Sequence, residues 1–210
     1  MNQQDKNLTE IWKGSFGDDY ISRNRIGKKN LRDRTKFWAE ILCSIPGANL
    51  KSILEVGANI GGNLMAMSQL TDATLYAVEP NSAAREELIK SGLMPEDRIH
   101  DGCASSIPLS DSSTDLVFTR GVLIHIEPEE LLKSCSEIYR VSNRYIACVE
   151  YFSDQPETIV YRGEEGLLFK RDFGAFWLEN FPNLKPVSFG FSWKPLSGLD
   201  NMNWWVFEKK

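Results

Sequence analysis

Short apolar runs and helical stripes alternate along most of this 210-residue chain. Residues 31–42 place Leu31, Arg34/Thr35, Trp38 and Ile41/Leu42 at helical spacing, which predicts a helix that Pro46-Gly47 ends. The run 52–56 (SILEV) reads as a buried strand that stops at Gly57, with a helix over NLMAMSQL after it. Residues 74–79 read as a strand, and 81–92 as a helix capped by Asn81 and closed by Gly92. A short strand at RIHDG and a buried one over 115–121 follow. Residues 128–141 form a helix with Pro128 in its first turn and Glu129/Glu130 near the positive end of its dipole, and 144–152 is another strand. Such alternation predicts right-handed crossovers and a mainly parallel sheet covered on both faces.

The last third changes character. After a Gly-containing connection (YRGEEG), residues 170–181 read as a helix, and VSFGFSW and NMNWWVFEK as two strands joined by KPLSGLD. The expected fold is therefore α/β: a Rossmann-like sheet of seven strands, mostly parallel, with an antiparallel C-terminal strand and helices on both faces. One domain over 1–210 divides into an N-terminal helical arm or lid (1–45), a core (50–152), and C-terminal loops and strands (153–210).

Composition narrows the functions. Apolar residues make up 42% and charged residues 25%, the balance of a soluble globular protein. No run of roughly 18 apolar residues occurs, so no membrane partner is expected, and the polar N-terminus lacks a signal-peptide centre. The expected location is cytoplasmic. Cys43, Cys103, Cys135 and Cys148 show no metal-site spacing and read as reduced thiols. The net charge of -5 argues against nucleic acid. The basic stretch 23–36 is explained by a solvated helix entry. Monomer and homodimer both stay open.

The informative stretch is Glu55-Val56-Gly57-Ala58-Asn59-Ile60-Gly61-Gly62, between a strand and a helix. Gly57 and Gly61 let the backbone turn and approach a ligand, and the helix that follows aims its amides there. A dinucleotide fold wants three glycines as GxGxxG; here an acid leads and one glycine is missing. Glu79 ends the next strand about 20 residues on, where an acid accepts from ribose hydroxyls, and Pro80-Asn81 turn the chain into its helix. A tight βα turn without a ligand would need the same glycines but not both acids.

This register resembles that of class I methyltransferases. In these a carboxylate at the position of Glu55 faces the ammonium of S-adenosylmethionine (SAM), and Asn59, Pro80 and Asn81 lie along the cofactor. Residues 102–109 and 111–118 resemble the methyltransferase segment GDAxxLPFxDxSFDLV, whose early acid holds adenine. Cys103 stands in place of that acid, which leaves adenine to backbone groups around Cys103 and Ala104, to Ser105, or to Asp101. Arg120 and Gly121 end the central strand beside the expected methyl group, and His125 follows.

Further motifs are similar to those of the pseudaminic acid biosynthesis-associated methylases. They are Trp12 with Phe16-Gly17-Asp18-Asp19-Tyr20 and Arg23-Asn24, and Gly121-Val122-Leu123-Ile124-His125-Ile126. Later come Glu150-Tyr151-Phe152, Tyr161-Arg162-Gly163, Leu168 to Phe173, and Trp204 to Lys209. The resemblance implies a SAM-dependent methyltransferase, releasing S-adenosylhomocysteine (SAH) and linked to surface-sugar (nonulosonate) pathways. The acceptor would be a hydroxyl, less readily an amine, of a small polar metabolite or its nucleotide-activated form.

In that setting His125 is the candidate catalytic residue, as general base or acceptor-orienting group, against a histidine tied to backbone at a strand end. Tyr20 and Asn24 are candidates for the cofactor, and Trp12 and Arg23 for the acceptor side of the lid. Glu150, Tyr151, Tyr161, Arg162 and Arg171 are the remaining acceptor candidates, with the two guanidiniums suited to a carboxylate or phosphate. No set of carboxylates has the look of a magnesium site, so no metal is expected. An NAD(P)-dependent oxidoreductase or epimerase is disfavoured by the missing glycine and the lack of a Tyr-x-x-x-Lys pair. A non-catalytic SAM-fold binding protein would bind cofactor and be indifferent to His125.

Overall fold

A computed structural model describes residues 8–23, 27–47 and 49–210. Helices α1 (Leu8–Lys13), α2 (Ser15–Arg23) and α3 (Lys28–Cys43) precede β1 (Ser52–Val56), α4 (Gly62–Met67) and β2 (Thr74–Val78). Then come α5 (Ser82–Lys90), β3 (Ile99–His100), β4 (Thr114–Arg120), α6 (Pro128–Val141) and β5 (Ser142–Glu150). The last third holds β6 (Glu157–Tyr161), β7 (Glu164–Lys170), α7 (Phe173–Asn180), β8 (Leu184–Ser192), α8 (Lys194–Ser197) and β9 (Met202–Lys209).

Seven strands form one sheet in the order β3-β2-β1-β4-β5-β9-β8. The pairs from β3 through β5 are parallel, whereas β9 runs antiparallel to both β5 and β8. The antiparallel C-terminal strand therefore lies inside the sheet, with β8 at the edge. This is the Rossmann-like class I methyltransferase fold. The strand order reverses between β1 and β4, and such a switch point opens a ligand crevice at the carboxyl ends of the strands.

Local chemistry explains the elements. The β1 strand is buried along Ile53–Val56, as a two-sided parallel strand must be. Asn81 caps α5 by accepting from the Ala84 amide at 2.8 Å, and Asp172 caps α7 through Ala175 at the same distance. One core layer joins α3 to the sheet through Trp38, whose ring lies 4.4 Å from that of Phe118. The other packs α6 and α7 through Ile138, Phe173 and Trp177. Arg140 pins the 107–111 loop to α6, bonding the Ile107 and Leu109 carbonyls and pairing with Asp111 and Glu137.

The connection expected at YRGEEG is corrected: it is the turn of a hairpin, β6 against β7, outside the main sheet. Arg162 and Gly163 both have positive φ, +56° and +83°, the two-residue primed turn that follows strand twist. The helix expected from residue 170 consequently begins at Phe173. The KPLSGLD loop contains the single turn α8. Among the described residues no helix is long and apolar enough to cross a membrane.

Candidate active site

A cavity of about 770 Å³ opens at the carboxyl ends of β1, β2 and β4, within the range of roughly 300–1,000 Å³ for small-molecule sites. Its floor is the β1–α4 turn. Gly57 has φ +77°, and a Cβ there would lie 2.5 Å from Val122 Cγ2, so only glycine fits. Asn59, at φ +48°, donates its amide to Glu79 Oε2 at 2.7 Å, and the Asn81 amide donates to Glu79 Oε1 at 2.9 Å. Burial raises the Glu79 pKa against these two bonds. The two acidic strand tips thus share one crevice.

Glu55 is buried in that crevice. Its Oε1 accepts from Asn63 Nδ2 at 2.6 Å, while Oε2 has no partner. Burial pushes its pKa to about 8, opposed by Asn63, Arg34 and Arg120. Asn63 Oδ1 accepts from Arg34 at 2.6 Å and from Trp38 Nε1 at 3.2 Å. Burial and the charge of Arg120 lower Arg34 to about 10. A buried atom without a hydrogen bond is costly, and three belong to residues that line this one cavity: Glu55 Oε2, Asn59 Oδ1 and Arg120 Nε. Such a lining fits a polar, charged ligand.

The roof is the N-terminal arm. Asn81 Nδ2 donates to the Trp12 carbonyl at 3.1 Å and to Asp18 Oδ1 at 2.9 Å, so the residue that caps α5 also holds α1 and α2 down. A side chain at Gly17 would collide with the Trp12 carbonyl and the Asn81 amide. Trp12 reaches His125, their rings 4.8 Å apart, and Tyr161 flanks the same imidazole at 5.2 Å. His125 lines the cavity, and its Nδ1 lies 2.6 Å from the Leu167 carbonyl. That carbonyl can only accept, so the neutral ring carries its proton on Nδ1 and a lone pair on Nε2. Burial lowers the ring's pKa to about 4.

Of the residues expected at the cofactor, Glu55, Gly57, Asn59, Glu79, Pro80, Asn81, Cys103, Ala104, Ser105, Arg120, Gly121 and Tyr20 line the cavity. Gly61 turns behind it against Leu88, and Asp101 faces away, paired with Arg85 at 3.0 Å. Asn24 and the side chain of Arg23 lie outside the described residues. Of the acceptor candidates, Trp12 lines the cavity, whereas Glu150, Tyr151, Tyr161, Arg162 and Arg171 do not.

The reading of Glu150 as an acceptor contact is corrected. It is fully buried, and its Oε1 accepts from Thr119 Oγ1 and from the Val122 and Leu123 amides. Oε2 accepts from Ile124 at 3.4 Å. Glu150 therefore builds the turn that carries His125. Arg162 sits on the exposed hairpin tip against its neighbour Tyr161, and Arg171 lies over the Phe176 ring at 5.0 Å. Neither guanidinium faces the crevice.

Sequence reasoning missed Arg34, Asn30 and Asn63 on α3 and α4, and the Gly198-Leu199-Asp200 loop, all of which line the cavity. For Arg34 a signal existed: it occupies the inward stripe of α3 between Leu31 and Trp38, where an arginine needs a buried reason.

Residues 54–144 match the family model of a methyltransferase domain. No curated protein matches the chain in sequence. The magnesium protoporphyrin IX methyltransferase from Synechocystis PCC 6803, solved with bound SAM, superimposes with a TM-score of 0.71 at 11% identity, over 100% of both chains. A Leishmania major SAM-dependent methyltransferase gives 0.69 at 18% identity, over 95% of this chain and 81% of its own. The Burkholderia thailandensis 1,6-didemethyltoxoflavin-N1-methyltransferase, with its substrate and SAH, gives 0.68 at 15% identity, over 97% and 87%. These likenesses are of fold.

Proposed function

We propose that the chain is a SAM-dependent methyltransferase acting on a hydroxyl of a small polar metabolite. The observation that carries this reading is the unpartnered, buried Glu55 Oε2, set beside the Gly57 bend in the same cavity as Glu79. Glu55 would hold the donor's ammonium, Arg34 its carboxylate, Glu79 the ribose hydroxyls, and the Cys103–Ser105 backbone the adenine. When bound, the donor supplies a methyl group activated on a sulfonium. The chain's own part is to align, to exclude water under the Trp12 arm, and to receive the acceptor's proton at Nε2 of His125. Residues 1–45 then act as lid, 50–152 as donor core, and 153–210 as support for the acceptor side. Nonulosonates and their nucleotide-activated forms are the first acceptors to try, on the strength of the N- and C-terminal motifs.

Calorimetric titration of SAH onto the purified chain tests the donor reading. Saturable binding is expected, weakened at least about tenfold by Glu55→Ala or Arg34→Gln, since hydrogen bonds to charged groups are at stake. No binding at millimolar SAH, or full affinity in both variants, would overturn it.

A further inference from the structure

Two partly buried guanidiniums line the cavity, and the donor accounts for one of them. Among the described residues no carboxylate lies within 4.0 Å of either Arg34 or Arg120. Arg34 bonds two neutral amide oxygens, Asn30 Oδ1 at 2.7 Å and Asn63 Oδ1 at 2.6 Å. Arg120 has even less: its Nε is buried without a hydrogen bond, and its guanidinium rests on the Phe37 ring at 5.7 Å. The charge of Glu55 acts on both guanidiniums without touching either, so two cations share one buried carboxylate and the cavity favours a further anion.

Asn63 joins Arg34 to Glu55, which groups the counter-charges for a methionine carboxylate and ammonium on α3, α4 and β1. Arg120 ends β4 beside Gly121, near enough for its charge to act on Arg34 and Glu55, but among the described residues no hydrogen bond or ion pair joins it to them. The donor brings one carboxylate but two positive groups, an ammonium and a sulfonium. Donor binding therefore adds to the positive charge around Arg120, and the exposed Asp200 on the rim is bathed in solvent. The expected anion-grippers Arg162 and Arg171 lie outside the cavity.

We infer that Arg120 receives an anionic group, carboxylate or phosphate, of the methyl acceptor, so that acidic metabolites are the acceptor class. A guanidinium fork matches either planar oxyanion face, and desolvation strengthens the pair. This inference rests on the donor reading above.

The test uses SAH-saturated protein and two matched probe pairs, glucuronate against glucuronamide and glycerol 3-phosphate against glycerol, titrated by calorimetry. The unaltered chain should bind at least one acid about tenfold or more tighter than its neutral partner. Arg120→Gln should abolish that preference while binding SAH saturably and more tightly than Arg34→Gln does, which also reports its folding. Arg120→Lys, which keeps the charge without the fork, should retain part of the preference. Equal binding of acids and neutral partners, no binding of either acid, or a preference surviving in Arg120→Gln would overturn the inference. So would a loss of SAH affinity in Arg120→Gln as deep as in Arg34→Gln, because Arg120 would then belong to the donor. Failure of the unaltered chain to bind SAH at all sinks the donor reading and takes this one with it, a result distinguished by needing no variant.

Discussion

Nδ1 of His125 and the carbonyl oxygen of Leu167 lie 2.6 Å apart, which ties the turn after β4 to the hairpin outside the sheet. The hairpin thereby fixes the tautomer of the one histidine in the cavity. Trp12 and Tyr161 enclose the same ring, and their apolar faces keep it neutral.

For this reason His125→Ala should lower kcat by about 10²–10⁴-fold while SAH affinity stays near its original value. The folded pKa, about 4, lies below the ordinary 6.5, so the unfolded chain binds more protons between those values. The stabilising contribution is complete above pH 6.5 and is lost as pH falls toward 4, on the order of 3 kcal/mol in all. Urea melts of the two proteins at pH 7 and pH 4.5 should show the original chain losing more stability on acidification than His125→Ala. Equal losses would contradict the burial argument.

Glu55 behaves in the opposite sense. Its pKa is raised from 4.5 to about 8, so the folded chain keeps a proton that the unfolded chain releases. Its contribution to stability falls as pH rises from 4.5 through 8. An ammonium ligand requires the ionised carboxylate, so SAH binding below pH 8 must expel a proton. Affinity should rise by up to tenfold per pH unit toward 8 and then level, a slope set by one linked proton. Calorimetry in buffers of different ionisation enthalpy reads the released proton directly. Glu55→Gln should bind more weakly and without that slope; an unchanged slope would place the proton elsewhere.

Glu150 acts through the same turn as His125. Glu150→Ala strips acceptors from the Thr119 hydroxyl and from the amides of Val122, Leu123 and Ile124. A destabilisation of roughly 3 kcal/mol or more is expected, because each orphaned buried donor costs about 1–3 kcal/mol. Chemical denaturation should show a lowered midpoint. Glu150→Gln, which retains one oxygen, should lose less stability, yet its kcat should fall more than its SAH affinity. A Glu150→Ala protein of unchanged stability would mean the turn holds itself.

Much of the crevice was readable along the chain because its parts are local. The strand at Ser52–Val56, the Gly57 bend, Glu79 at the next strand tip and the Asn81 cap each depend on residues a few positions apart. Periodicity reports such relationships faithfully, and α6 begins and ends where its apolar stripe does.

The hairpin and the buried polar contacts were not readable in the same way. Hairpin residues Glu157–Tyr161 are largely exposed, so no clean alternation marks them as a strand. Glu150 looks like a polar strand end in sequence, and only the turn folding back over it makes it a buried acceptor. Arg34 belongs to a helix whose charges suggested solvent, until α4 and β1 brought Asn63 and Glu55 against its inner face. The sequence by itself determined the elements, the βα rhythm and the two acids, since backbone preference and burial act over one or two turns. The tertiary structure decided which charges face each other across the cavity, where β9 inserts, and which proton His125 keeps. Those outcomes turn on contacts between residues tens of positions apart, whose strength depends on burial that no local pattern carries.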